Sequence, residues 1–392
     1  MQTIHLRATL KAAASVVGLL LLGTSAGFGQ QQINLTAGPS TVTMPDGSAV
    51  PMWGYTCGTV VSGSTATCAK SNPAAAGWSP VVITVPTGQG LTINLTNGLT
   101  FANSNSVPTS LVIVGQLGGG LGNSATSTPS PDHSGAQAAT TWPIAGGPGA
   151  TPPTQGNRVQ SFSTEVAAGA TTALTWPATT LRPGTYLIES GTHPSIQGPM
   201  GLYGILVVTT APSGPTAGAA YPGVSYNAEV PLLFSEIDPV QNSAVSTAVN
   251  TSGFSETAVW SGTGCGTVST HTCYPPAVNY TPLYYMINGV AFDKTHASTS
   301  LFPTSPATGL TTTAGKVLVR LVNAGLRMHV PSIVGALTGT SRVPGFSLIA
   351  EDGNPLPGVP RVQSEVFMAA GKTNDVMLNV PVGPSALAPV PA

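Results

Sequence analysis

Charge is what this sequence has least of. Asp, Glu, Lys and Arg make up 6% of its 392 residues, against about 25% in ordinary soluble domains. Lys and Arg number 12 and Asp and Glu 13, for a formal net charge of −1. The basic residues form no stripe, so nucleic-acid binding lacks its electrostatic footprint. So little net charge gives weak steering of charged substrates and weak colloidal protection, which favours association. Long amphipathic helices would need more Glu, Lys and Arg than are present. No run beyond the first 29 residues keeps a sustained helical period. Histidine and cysteine are also scarce, at six and four residues, which limits any metal centre.

What is present points to β structure. Hydrophobic residues reach 41%, enough for a sizeable core, and 47 Gly and 36 Pro mark many turns. Positive mean hydropathy and low net charge argue against disorder. The length fits two ordinary domains. Arg7 and Lys11, the apolar run Ala12 to Leu22 and the small residues Thr24, Ser25 and Ala26 read as a signal peptide. Residues 1–29 are therefore expected to be leader, and the mature chain to be exported, to a periplasm or outside the cell. No other stretch approaches the length of a membrane span. Cys57 with Cys68, and Cys265 with Cys273, are spaced too widely for a Cys-x₂₋₄-Cys zinc site. In an exported chain they read as two small-loop disulfides.

Strand signals recur along the chain. In the first block they are Pro80–Pro86, Gly90–Asn97, Ser110–Val114, Arg158–Phe162, Thr171–Trp176, Thr185–Ile188 and Gly201–Thr209. In the second they are Glu229–Phe234, Tyr284–Ile287, Lys316–Asn323, Phe346–Glu351 and Asp375–Val380. Residues 27–45 read as a polar opening segment. Gly118 to about Gly156 is a long Gly/Ser/Thr/Pro-rich insert of the kind usually tied to function or mobility. Ala211 to Pro222 is the best linker candidate. The domains expected are thus 30–212, with the insert, and 213–392, ending in a Pro/Ala-rich tail.

Several stretches, taken in order, resemble the multicopper oxidase family. They are Val85–Asn97, Pro108–Gly115, Arg182–His193 with its Pro-Gly-Thr-Tyr strand, and Gln197–Val208 with Gly-Leu-Tyr-Gly. Tyr285–Gly289, Lys316–Gly325, Phe346–Asp352 and Gly371–Val376 are similar to that family's second domain. The resemblance covers roughly residues 45–380. It implies an all-β chain of two cupredoxin-like Greek-key β-sandwich domains. It also implies copper as cofactor, and a further cupredoxin domain or a homo-oligomer as partner.

The family's trinuclear centre takes eight His from four His-X-His pairs, since i and i+2 share a strand face. Its type 1 copper takes a Cys thiolate and two His. By the resemblance the first pair falls on Val112 and Val114, and the second on Glu189 and Gly191 around Ser190. His193 is the one His near the pattern and the first metal-ligand candidate. His329, beside Met328, and His133, in the insert, are weaker candidates. His271 lies inside a disulfide loop, His296 lies in a polar loop, His5 leaves with the leader, and no His-Cys-His occurs. Glu351, Asp352, Lys372 and Asp375 read as structural. No Gly-x-Ser-x-Gly elbow supports a hydrolase, and Gly118–Gly122 is not a phosphate loop. Catalytic residues are not assignable. Two functions remain: a copper-dependent oxidoreductase with an incomplete ligand set in this chain, or a non-catalytic extracellular scaffold for assembly or binding.

Overall fold

The computed structural model describes residues 29–121, 126–128, 156–258, 265, 271–293, 315–341 and 343–380. The leader, most of the insert with His133, the loop holding His296 and the tail lie outside the described residues. The first block contains β1 (Gln30–Thr43), β2 (Ala49–Cys57), β3 (Thr67–Lys70), β4 (Val81–Pro86), β5 (Gly90–Asn97), β6 (Val112–Ile113), β7 (Thr126–Thr128), β8 (Arg158–Ser161), β9 (Thr171–Trp176), β10 (Gly184–Glu189), the one-turn helix α1 (Pro194–Gln197) and β11 (Tyr203–Thr209). One sheet runs β2-β1-β5-β9 and faces a second, β3-β4-β11-β10-β6. Parallel pairing of β1 with β5 and of β4 with β11 gives the mixed, cross-connected sandwich of a cupredoxin-like domain. Ile33, Leu35, Ile83, Ile93, Leu95, Trp176, Tyr186 and Ile188 fill the space between the sheets.

The opening segment is a correction to the sequence reading. Residues expected to be polar lead-in form β1, which alternates buried Gln31, Ile33, Leu35 and Ala37 with exposed neighbours. Gln31 hid the pattern, being a polar residue on the buried face. Its Oε1 accepts from the N–H groups of Thr65 at 2.6 Å and Ala66 at 3.0 Å, so its burial leaves no acceptor unpaired.

The expected linker carries β12 (Gly218–Tyr221), which pairs with β13 (Val224–Tyr226). The second block then runs β14 (Ala228–Ile237), α2 (Pro239–Val249), β15 (Tyr284–Ile287), β16 (Val290–Ala291), β17 (Gly315–Asn323), β18 (Leu337–Thr338), β19 (Val343–Pro344), β20 (Phe346–Glu351), β21 (Asn354–Pro355), β22 (Arg361–Gln363) and β23 (Thr373–Val380). Among the described residues it forms one broad sheet, β16-β15-β14-β17-β23-β20-β21 with β22 beside β20, and a small β18–β19 hairpin. Phe234, Val319, Leu321, Phe346 and Val376 form the core on its outer side.

Helix α2 is the second correction. Asp238 caps it, accepting from Val240 N and Gln241 N at 3.0 Å each, and Pro239 suits the first helical position. Its buried side is Gln241, Asn242, Val245, Ala248 and Val249. Two amides on that side erase the apolar period. Asn242 has a specific task there, donating from Nδ2 to Pro51 O at 3.0 Å.

The blocks share a buried face. Along β10, Tyr186 and Ile188 point into the first core, while Leu187 joins a second cluster. That cluster combines Trp78, Leu187, Tyr203, Ile205 and Val207 of the first block with Leu233, Ile237, Met286 and Val322 of the second. Strand β11 is therefore buried on both faces, which explains its unbroken apolar sequence. Both expected disulfides, Cys57–Cys68 and Cys265–Cys273, are formed.

Candidate functional site

The positions singled out by the resemblance do meet in space. β6 and β10 are antiparallel, with Val112 opposite Glu189. A Cβ built on Gly191 would lie 2.9 Å from Val112 Cγ1, 3.1 Å from Ser110 Oγ and 3.4 Å from Ser163 Oγ. Val112 and Ser110 thus occupy the space a side chain at 191 would need. Val114 is at the rim, its N–H donating to Leu187 O at 2.9 Å. Glu189 is mostly enclosed, and burial pushes its carboxyl up to about 7. Gly191→Ala is expected to lower stability by about 1–2 kcal/mol through overpacking. Urea unfolding measures this, and an unchanged midpoint would show that Val112 and Ser110 yield freely.

Beneath Gly191 the sandwich end is closed by hydroxyls and amides. Thr192 Oγ1 lies 3.0 Å from both Ser110 Oγ and Ser161 Oγ and 3.3 Å from Glu165 Oε1, with one proton to share among them. Ser161 Oγ also lies 3.1 Å from Ser110 Oγ. Gln197 Oε1 accepts from Ser190 Oγ at 2.6 Å and Thr109 Oγ1 at 2.7 Å, and its Nε2 donates to Pro108 O at 2.8 Å. Thr109, Ser110, Ser161, Ser163, Ser190, Thr192 and Gln197 are all buried. Sequence reasoning passed over this set. Its signal was hydroxyls at i and i+2, Ser161 with Ser163 and Ser190 with Thr192, one register away from the expected ligand slots.

His193 does not join that network through its ring. It precedes α1 in the left-handed conformation, at φ +40°, and its backbone N–H donates to Gln160 O at 2.9 Å. The ring points into a cleft of about 400 Å³ between the blocks, lined also by Arg158, Phe162, Glu256 and Tyr274. Its Nε2 lies 3.7 Å from Glu256 Oε2, and its ring meets Tyr274 edge-on at 5.5 Å. The Cys265–Cys273 bridge sits immediately before Tyr274 and fixes it against Phe254. Burial, then the nearby Glu256, raises the Tyr274 hydroxyl well above its ordinary value. Glu256 and Tyr274 gave no sequence signal, because only the packing of the second block brings them here.

His329 has a closed partner. Its Nε2 is 3.3 Å from buried Glu236 Oε2, and Glu236 Oε1 accepts from Leu326 N at 2.5 Å and Arg327 N at 2.8 Å. Met328 beside it is exposed to solvent. Lys372 bridges Glu351 at 3.2 Å and Asp352 at 3.1 Å on the surface, whereas Asp375 lies buried in the interface. The structure therefore does not unite these four as one site.

The fold is similar to that of multicopper oxidases. Matching structures include a blue copper oxidase from Nitrosomonas europaea, at 16% identity and TM-score 0.49 over 90% of this chain and 76% of that one. A multicopper oxidase from Pseudomonas thermotolerans matches at 15% identity and TM-score 0.48, over 90% of this chain and 58% of its own. Fet3p, a multicopper oxidase that functions in iron import, matches at 16% and 0.48, over 90% of this chain and 46% of its own. This chain thus spans about half the length of the last two. No family model matches the sequence, and no curated protein does.

The residues at the expected ligand positions do not fit copper. Val112 and Val114 offer no lone pair, Gly191 offers no side chain, and Glu189 is a single hard oxygen donor. Copper centres of this type rest on imidazole and thiolate. Both cysteine pairs are oxidised, and no group of three or more His, Cys, Asp or Glu with metal-site geometry exists among the described residues.

Proposed function

We propose that this chain is an exported, non-catalytic binding or assembly protein built on a multicopper-oxidase-like scaffold. The observation that carries the reading is the closed Ser/Thr/Gln network beneath Val112 and Gly191. A buried polar network whose members hydrogen-bond to one another and to Glu165 rigidifies the fold and fills this end of the sandwich. A further cupredoxin domain or a second copy could bring its own ligands. It could not replace Val112 and Gly191, which occupy this chain's share of the centre. The division into 30–212 and 213–392 belongs to the same proposal. Two disulfides and the leader-like residues 1–29 support export. No helix among the described residues is long and apolar enough to cross a membrane.

The test is oxidase turnover. The purified chain is loaded with copper, freed of excess, and mixed with a phenolic dye, Fe(II) or Mn(II) in air. The expected rate equals that of the buffer control. Dioxygen-dependent turnover that a chelator abolishes would overturn the reading in favour of a copper-dependent oxidoreductase.

A further inference from the structure

The sheet β2-β1-β5-β9 of the first block has one closed edge and one open edge. At the β2 side, Trp53 N–H donates to Met200 O at 2.6 Å and Asn242 Nδ2 donates to Pro51 O at 3.0 Å. At the β9 side, register decides which groups are paired. Thr171, Ala173 and Thr175 stand opposite Thr96, Asn94 and Thr92 of β5. Bonded and non-bonded residues alternate along an antiparallel ladder. Gly119 N–H donates to Thr175 O at 2.9 Å from outside the sheet, so Thr171, Ala173 and Thr175 turn their N–H and C=O groups away from β5. Among the described residues nothing else bonds to that edge, and the N–H and C=O groups of Thr171 and Ala173 have no protein partner.

Such an edge is a template for another strand, and proteins guard it with Lys, Pro or a bulge. β9 contains no charged residue and no Pro, and its register with β5 is unbroken. Thr171, Ala173 and Thr175 are exposed. A two-fold axis lays this strand antiparallel to itself with small side chains facing and no like charges opposed. A formal net charge of −1 leaves little long-range repulsion between copies. The strand is therefore complementary to itself.

We infer that two copies of this chain pair edge to edge through β9, joining their sheets into one continuous sheet. Thr171 of each copy pairs with Ala173 of the other, which satisfies the N–H and C=O groups of both residues. Gly119 holds the Thr175 end and confines the pairing to the Thr171 half of the strand. β9 lies in the sheet opposite the one that carries Val112 and Glu189. The pairing supplies a surface for assembly and rests on the assembly reading for its purpose.

Sedimentation velocity of the purified chain over a micromolar-to-millimolar series tests the inference, and a monomer–dimer equilibrium is expected. Ala173→Pro removes an N–H that β5 does not use, at an edge position where Pro is tolerated, and should leave only monomer. A parent that stays monomeric at every concentration, or dimers that persist in Ala173→Pro, overturn the proposal. Ala173→Lys and Ala173→Glu keep the backbone donor and give a reading independent of how the proline folds. Each alone should be monomeric, and an equimolar mixture should dimerise as opposite charges meet across the axis. A mixture that stays monomeric overturns the pairing. In the parent, amide hydrogen exchange in peptides spanning Thr171–Trp176 should slow as concentration rises, and exchange independent of concentration overturns it as well. Copper-dependent oxidase turnover by a chain that dimerises would overturn the non-catalytic reading alone, whereas an inactive monomer would overturn the pairing alone.

Discussion

Arg320→Ala is expected to lower the unfolding free energy by about 3–5 kcal/mol, the usual cost of stranding a buried charge. Arg320 is fully buried between the blocks. Its Nε donates to Glu229 Oε2 at 2.7 Å, Nη1 to Thr185 Oγ1 at 2.9 Å and Nη2 to Thr209 Oγ1 at 3.2 Å. Asp375 Oδ2 lies 3.5 Å from Nη1 and accepts from the Tyr221 hydroxyl, while Oδ1 accepts from Thr185 Oγ1 at 2.6 Å. Desolvation works against the guanidinium, but Asp375 and Glu229 outweigh it and hold its pKa above the ordinary value. Removing Arg320 leaves Asp375 buried without its cation. The double variant Arg320→Met with Asp375→Leu should recover much of the loss, since an apolar replacement for a buried pair is often neutral. Urea unfolding of the singles and the double measures both effects. A single variant within about 0.5 kcal/mol of the parent would mean that water reaches the pair.

The second large effect is a dependence on pH set by Glu189. Its ordinary value is 4.5, and burial raises it to about 7 in the folded chain. Below pH 4.5 both folded and unfolded chains hold the proton, and this contribution to stability is full. Between 4.5 and about 7 the unfolded chain releases the proton while the folded chain keeps it, so stability falls as pH rises. Above about 7 the loss is complete, at up to about 3 kcal/mol. Glu189→Gln cannot titrate and should lack this fall. The difference between parent and variant across pH 4.5 to 8 isolates it from the other carboxylates. Parallel stability profiles for the two proteins would refute the assignment.

How far the sequence speaks depends on how local the physics is. Each segment with β-branched alternation or a bounded apolar run became a strand, because pleat and periodicity are local properties. β1 and α2 escaped because Gln31 and Asn242 stand on buried faces, where Gln31 Oε1 and Asn242 Nδ2 each find long-range hydrogen bonds. The site divides the same way. That Val112, Glu189 and Gly191 belong to one place was legible only through the family resemblance. That hydroxyls fill the space beneath them was not, since Ser110, Ser161 and Thr192 come from three separate segments. Glu256 and Tyr274 were illegible for the same reason, because they reach His193 only through the second block.

The doubly buried β10–β11 pair has one further consequence. A sheet with water on one side can be inherited, copied or lost with its own sandwich. This sheet cannot. Leu187, Ile205 and Val207 would face solvent without the second block, and Arg320 would lose Thr185 and Thr209 without the first. The two halves look like separate modules when read along the chain, yet each completes the other's buried face. A substitution in either face must be tolerated by a partner in the other block, as with Arg320, 135 residues from Thr185 and 111 from Thr209, so substitutions across the interface should be non-additive.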